Sequence, residues 1–244
     1  MAFSSRYDAE TSVMGETEGV PLISKIMNNI HCASRRRSRT RSQSMPLISP
    51  ERMQDRYDTI LDAAKRAFAE KGFEGASIAD IARIADISDG LVYRYFRNKR
   101  DLLYGVLKKF YERILVDLEN QVFRHKRFRD RLEALIKRHI EVFVSDTDLC
   151  RLFIAEVRVA SDYEGSAIQE LNRRYTSVLI RIVREAVKTG EVREDVNPKL
   201  LRDVIFGSIE HLAWGHVNGR GQLKAAQTAR ELTGLLTSGV CLDE

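Results

Sequence analysis

The sequence predicts an all-α fold. Apolar residues recur at three- and four-residue spacing through most of the chain after Ser49, and helix-start and helix-stop residues punctuate these stretches. At 244 residues, 43% hydrophobic and 31% charged, the chain can bury a sizeable core as one large helical unit or two small domains, without disulfides or metal.

Composition removes several functional classes. No apolar run reaches the roughly 18 residues needed to cross a bilayer, so no membrane association is expected. The three cysteines, Cys32, Cys150 and Cys241, lack any C-x-x-C spacing and fit a reducing cytoplasm, with no zinc site, metal-ligand set or cofactor motif. A net charge of +5 and a pI near 9.1 favour an anionic partner.

Residues 1–48 read as a disordered basic extension. They carry no sustained period, and they contain the run Arg35-Arg36-Arg37-Ser38-Arg39-Thr40-Arg41. That run either adds non-specific phosphate contacts or is a solvated tail. Met45 and Met53 offer alternative starts that would leave the segment out of the protein.

Ser49-Pro50-Glu51 supplies an N-cap, a proline at the first helical position and an acid in the first turn. The stripe Tyr57, Ile60, Leu61, Ala64 and Phe68 then faces a core, and Gly72 ends the helix in a left-handed conformation. A second, short helix begins at Ser77-Ile78-Ala79-Asp80, which reads as a capping box. Asp86-Ile87-Ser88 breaks it, and a third helix opens near Ser88 to Gly90. Two short helices joined by so tight a turn, with Ala82 and Ala85 between them, have helix-turn-helix geometry.

In the third helix Val92 and Phe96, four apart, face inward. Leu91, Tyr93, Arg94 and Tyr95 are left to line the outside. Tyrosine hydroxyls and a guanidinium on an exposed face suit phosphate and base-edge contacts on double-stranded DNA. Asn98-Lys99-Arg100-Asp101 caps a long fourth helix through about Gln121, and Lys99 in its first turn is read as a phosphate contact. Ser77 and Gly90 complete the set expected at DNA. The alternative is a helical interaction protein whose helix-turn-helix face is merely solvated.

The stretch Phe68-x-x-x-Gly72-Phe73-x-x-x-Ser77-Ile78-x-x-Ile81-Ala82, followed by Ile87-Ser88-x-Gly90-x-Val92-Tyr93-x-Tyr95-Phe96-x-x-Lys99, resembles the N-terminal signature of TetR-type repressors. The resemblance implies a homodimer that leaves its operator when a small effector binds. It places a DNA-binding domain over 49–105 and a helical effector-binding and dimerisation domain over 106–244. Carried over, Tyr93, Tyr95 and Lys99 fall where phosphates are held, and Ser88, Asp89, Leu91 and Arg94 where bases are read. Two positions depart from the pattern. Asp86 stands where glycine commonly makes the turn, which requires it to adopt a left-handed conformation. Leu91 replaces a frequent threonine and offers a thymine methyl an apolar contact instead.

Further helices are expected over about 128–145, 148–160, 164–189, 198–217 and 222–240, with Thr147, Gly190 and Asn197-Pro198 as punctuation. The last two, through faces including Leu232, Leu235, Leu236 and Val240, either pair with a second subunit or close the monomer's own core. Phe143, Phe153, Phe206 and Trp214 are candidates to line an effector pocket, although core residues look the same. Glu156-Val157-Arg158 and Val204-Ile205-Phe206-Gly207-Ser208-Ile209-Glu210 are similar to the acyl-CoA-responsive fatty-acid-degradation regulators of that family. That similarity implies a fatty acyl-CoA effector, with Glu156 and Arg158 at the site.

Catalysis has no visible address. The five histidines show no H-E-x-x-H spacing, and no G-x-S-x-G, Walker-type or G-x-G-x-x-G loop occurs. Asp146 and Asp148 read as a solvated helix boundary.

Overall fold

The computed structural model describes residues 49–241. The expected disordered extension over 1–48, its arginine run and Cys32 lie outside the described residues. Among the described residues there are nine α-helices and no strand, only an isolated antiparallel bridge between Val192 and Cys241.

The first four helices are α1 (Pro50–Gly75), α2 (Ile78–Ile84), α3 (Asp89–Tyr95) and α4 (Lys99–Phe123). Their starts follow the expected capping chemistry. Ser49 Oγ accepts from the Arg52 amide at 3.3 Å, Asn98 Oδ1 accepts from the Asp101 amide at 2.8 Å, and Ser77 and Asp80 form a reciprocal capping box. Gly72 has the expected positive φ, +71°, but with ψ 173° it kinks α1 rather than ending it. Helical turn resumes through Gly75, closed by the Ala76 amide on the Gly72 carbonyl.

The second half holds α5 (Phe128–Ser145), α6 (Thr147–Leu152), a π-helical turn (Phe153–Val157), α7 (Ala167–Thr189), α8 (Pro198–Val217) and α9 (Ala225–Val240). Gly190, with φ +77°, ends α7, and Asn197 Oδ1 accepts from the amides of Lys199 and Leu200 to start α8. The helix expected over 148–160 is instead α6 followed by the π turn, in which the Arg158 amide reaches back five residues to Phe153. Thr147 does not cap α6. Its hydroxyl donates back to the Phe143 carbonyl at 2.7 Å, so α5 and α6 are nearly continuous.

One hydrophobic core runs from Ile60 to Ala229. Helix α4 joins the two halves: it packs on α1 near its start and on α5 and α7 along its length. Gly105 permits the first contact, because a Cβ there would lie 2.8 Å from Leu61 Cδ2 and 3.2 Å from Phe96 Cε1. Helix α9 lies on α5 through Ala229, Thr233 and Thr237, all buried small side chains.

Candidate nucleic-acid interface and effector chamber

Seven residues are too few for a helix to persist alone in water, so tertiary packing holds α3. Val92 and Phe96 are 0% and 3% exposed, and the Phe96 ring stacks on Tyr57 of α1 at 5.0 Å. The tight turn before it depends on Asp86. That residue has φ +53°, the one positive φ outside glycine among the described residues, as its place in the turn predicts. The Ile87 amide bonds to the Ala82 carbonyl at 3.0 Å and locks the turn.

Anchoring Val92 and Phe96 turns the other face of α3 to solvent. Tyr93 is 56% exposed, and Arg94 is exposed without a side-chain partner among the described residues. Ser88 opens α3 with a hydroxyl that no cap uses, and Asp89 and Gly90 beside it are exposed. Leu91 is half-buried. Tyr95 is not fully outward as expected; its ring packs partly against the core.

Two expected DNA residues have structural duties. The Ser77 hydroxyl accepts from the Asp80 amide and donates to the Asp80 carboxylate, so it serves the α2 cap. Hydrogen bonds from Lys71 and Ser77 hold that carboxylate's pKa well below the usual range. The Lys99 ammonium donates to the carbonyls of Phe73 and Glu74 at 2.6 and 3.1 Å and sits 4.5 Å above the Phe73 ring. These carbonyls end α1, so they answer the lysine's conflict with its own helix dipole. An ammonium has three N–H donors, and the third makes no hydrogen bond among the described residues, although the Glu74 carboxylate lies 4.0 Å away.

In the second half, Phe143, Phe153 and Phe206 belong to one connected aromatic cluster. His139 touches Phe143 and Phe206 at centroid distances of 5.3 and 4.7 Å, Tyr175 touches Phe206 at 6.1 Å, and Tyr111 touches Phe153 at 5.7 Å. Polar tips are threaded through it. The Tyr111 hydroxyl donates to Asn172 Oδ1, whose amide nitrogen donates to the Tyr163 hydroxyl, both at 3.2 Å. Trp214 is not there: it is 56% exposed, because residue 214 falls opposite the buried Ile205, Ile209 and Ala213 on α8. Arg158 is exposed and paired with Glu210 of α8, and Glu156 contributes its carbonyl to Arg100 at 3.4 Å.

A family model for bacterial regulatory proteins of the tetR family matches residues 60–105, and a tetracyclin repressor-like C-terminal domain model matches residues 125–240. The chain belongs to the TetR family. It is 26% identical over 185 residues to a fatty acid metabolism regulator protein of Bacillus subtilis, covering 76% of this chain and 95% of that protein. The transcriptional repressor KstR2 of Rhodococcus jostii is 25% identical over 160 residues, or 65% of this chain and 76% of its own. Among solved structures, the transcriptional regulator FadR from Bacillus subtilis in complex with stearoyl-CoA has a TM-score of 0.68 and 27% identity, and the match covers 75% of this chain and 98% of that one.

In this TetR regulator ion pairs distant in sequence connect the two halves. Asp146, expected in solvent, has a side chain only 7% exposed. It accepts from Arg113 of α4 at 2.9 Å and from Lys65 of α1 at 3.3 Å. Arg100, in the first turn of α4, donates to both carboxylate oxygens of Asp162 at 3.0 and 2.9 Å. No local pattern announces pairs 33 to 81 residues apart; the only sequence signal was an acid at a helix junction. Among the described residues no group of His, Cys, Asp and Glu could hold a metal, and no helix is long and apolar enough to cross a membrane.

Proposed function

We propose that this TetR-family regulator is a homodimeric repressor that leaves its operator when a fatty acyl-CoA binds the C-terminal lobe. The carrying observation is the outward face of α3, where Tyr93 and Arg94 project while Val92 and Phe96 fix the helix from behind. In this reading α3 enters the major groove. Ser88, Asp89, Gly90, Leu91 and Arg94 meet base edges, while Tyr93, Tyr95 and the third N–H of Lys99 meet phosphates; Ser77 acts through the α2 cap. The DNA-binding domain spans 49–105 and the effector and dimerisation domain 106–244.

Dimerisation is read from α8. Leu200, Val204 and Trp214 are 62%, 46% and 56% exposed on one side of a helix whose other side is core. On α9 only Leu235, at 72% exposure, points outward, while Leu232, Leu236 and Val240 pack partly on the core. The effector chamber is the cluster around Phe143, Phe153 and Phe206, with Glu156 and Arg158 on the adjoining turn. The stearoyl-CoA bound to the Bacillus subtilis relative supports the ligand class. Effector binding shifts α4 and so the separation of the two α3 helices, which must match half-sites roughly 34 to 36 Å apart.

The test is selection of genomic fragments by the purified protein, followed by release with acyl-CoAs of several chain lengths. One enriched palindromic sequence, released by at least one acyl-CoA, is the expected result. No enriched sequence overturns the DNA reading, and an operator insensitive to every acyl-CoA overturns the effector.

A further inference from the structure

At the centre of the aromatic cluster His139 has one nitrogen committed and one open. Its ring is enclosed by Phe143, Tyr175 and Phe206, and its Nδ1 lies 3.1 Å from the Tyr175 hydroxyl. Its Nε2 meets no protein partner among the described residues. Unlike the Tyr104 and Thr233 hydroxyls, it is not sealed from solvent, and the residue keeps partial exposure.

Proton counting fixes the tautomer. Tyr175 is 2% exposed, and the only acceptor its O–H reaches among the described residues is His139 Nδ1. A buried O–H without an acceptor is costly, so the phenol donates to Nδ1 and the imidazole proton resides on Nε2. Burial, helped by the neighbouring Arg138 cation, pushes the imidazole pKa down to about 3, so the ring is neutral at physiological pH.

We infer that His139 Nε2–H is a hydrogen-bond donor for an uncharged carbonyl oxygen in the effector: the thioester carbonyl of an acyl-CoA, not the carboxylate of a free fatty acid. The thioester rests on the acyl-CoA reading above; the donor does not. A carboxylate among these rings would need a counter-charge, and Arg138 is already paired with Asp117 and Glu141. An ammonium would need an acceptor, which Nε2–H is not.

Palmitoyl-CoA and its thioether analogue S-hexadecyl-CoA have alkyl chains of equal length and differ at the carbonyl. Titrated into the full-length protein, the thioether should bind at least about tenfold more weakly, because the donor loses its acceptor. His139→Leu should abolish that preference, and His139→Gln, whose amide N–H falls near the Nε2 position, should restore part of it. Equal binding of the two ligands to the unsubstituted protein overturns the inference. A ¹⁵N-imidazole spectrum of the unliganded protein should show Nε2 protonated and Nδ1 bare, and the reverse tautomer overturns it whether or not the variants fold. If palmitoyl-CoA does not bind, the acyl-CoA reading falls, and the spectrum alone decides the donor.

Discussion

Asp86 shows how a single residue carries the geometry of the DNA-binding half. Its φ of +53° is disfavoured for every L-residue, least so for Asp and Asn, and the α2–α3 turn cannot close without it. Asp86→Ala should therefore lower stability by about 1 kcal/mol in chemical denaturation, whereas Asp86→Gly should not. Lys99 works at the same scale but across the chain. Two of its donors hold the end of α1 against the start of α4, and its side chain is 25% exposed. Lys99→Ala should cost roughly 1 to 2 kcal/mol of stability, because two charge-assisted hydrogen bonds vanish. If the third donor meets a phosphate, the slope of log affinity against log salt should also fall by about one.

Local chemistry at this scale was legible beforehand. Caps at Ser49, Ser77, Asn98 and Asn197, and the positive φ of Asp86, depend on neighbours within four residues, which sequence displays. Lys99 was legible as a basic group in a helix first turn. Its carbonyl partners, 25 and 26 residues upstream, were not.

Among elements, the junction of α5 and α6 departs most from what periodicity suggests. Its apolar pattern continues through 148–160, yet the backbone breaks into a short helix and a π turn that set Phe153 and Ile154 partly against the core. Asp146 at this junction ties α6 to both α1 and α4. Burial opposes its ionisation, but the Arg113 and Ser145 hydrogen bonds and the charges of Arg113 and Lys65 prevail and lower its pKa. A lowered carboxylate pKa stabilises the fold above the unfolded value, near 3.9, and that stabilisation is lost as pH falls through the folded value. Asp146→Asn should therefore be less stable than the parent at pH 7, and the gap should narrow as pH drops below about 4, measured by denaturant midpoints across pH.

At the scale of the whole molecule, the proposed dimer rests on the faces of α8 and α9. Leu200, Leu201, Val204, Ile205, Ile209 and Leu212 look like one apolar set in sequence. In the fold Leu201, Ile205 and Ile209 are core while Leu200, Val204 and Leu212 are exposed. Trp214 belongs with the exposed group, and only the three-dimensional placement separates it from the clustered phenylalanines. A stable dimer interface buries on the order of 1,200 to 2,000 Å². Placing a carboxylate at its centre with Val204→Asp should shift the protein to monomer in sedimentation velocity and weaken operator binding, since one lobe reads only half the site. A dimer that survives this change would put the interface elsewhere.

Recognition by the exposed face of α3 is the claim on which the others depend, and Arg94 is its most direct probe. Binding of the parent and of Arg94→Ala should be measured against a library of operators altered one base pair at a time, at fixed salt. A base contact predicts a loss of about 1 to 3 kcal/mol on the parent operator, with discrimination relaxed at one position in each half-site. An unchanged affinity and an unchanged base preference at every position would contradict the assignment of α3 as the reading helix.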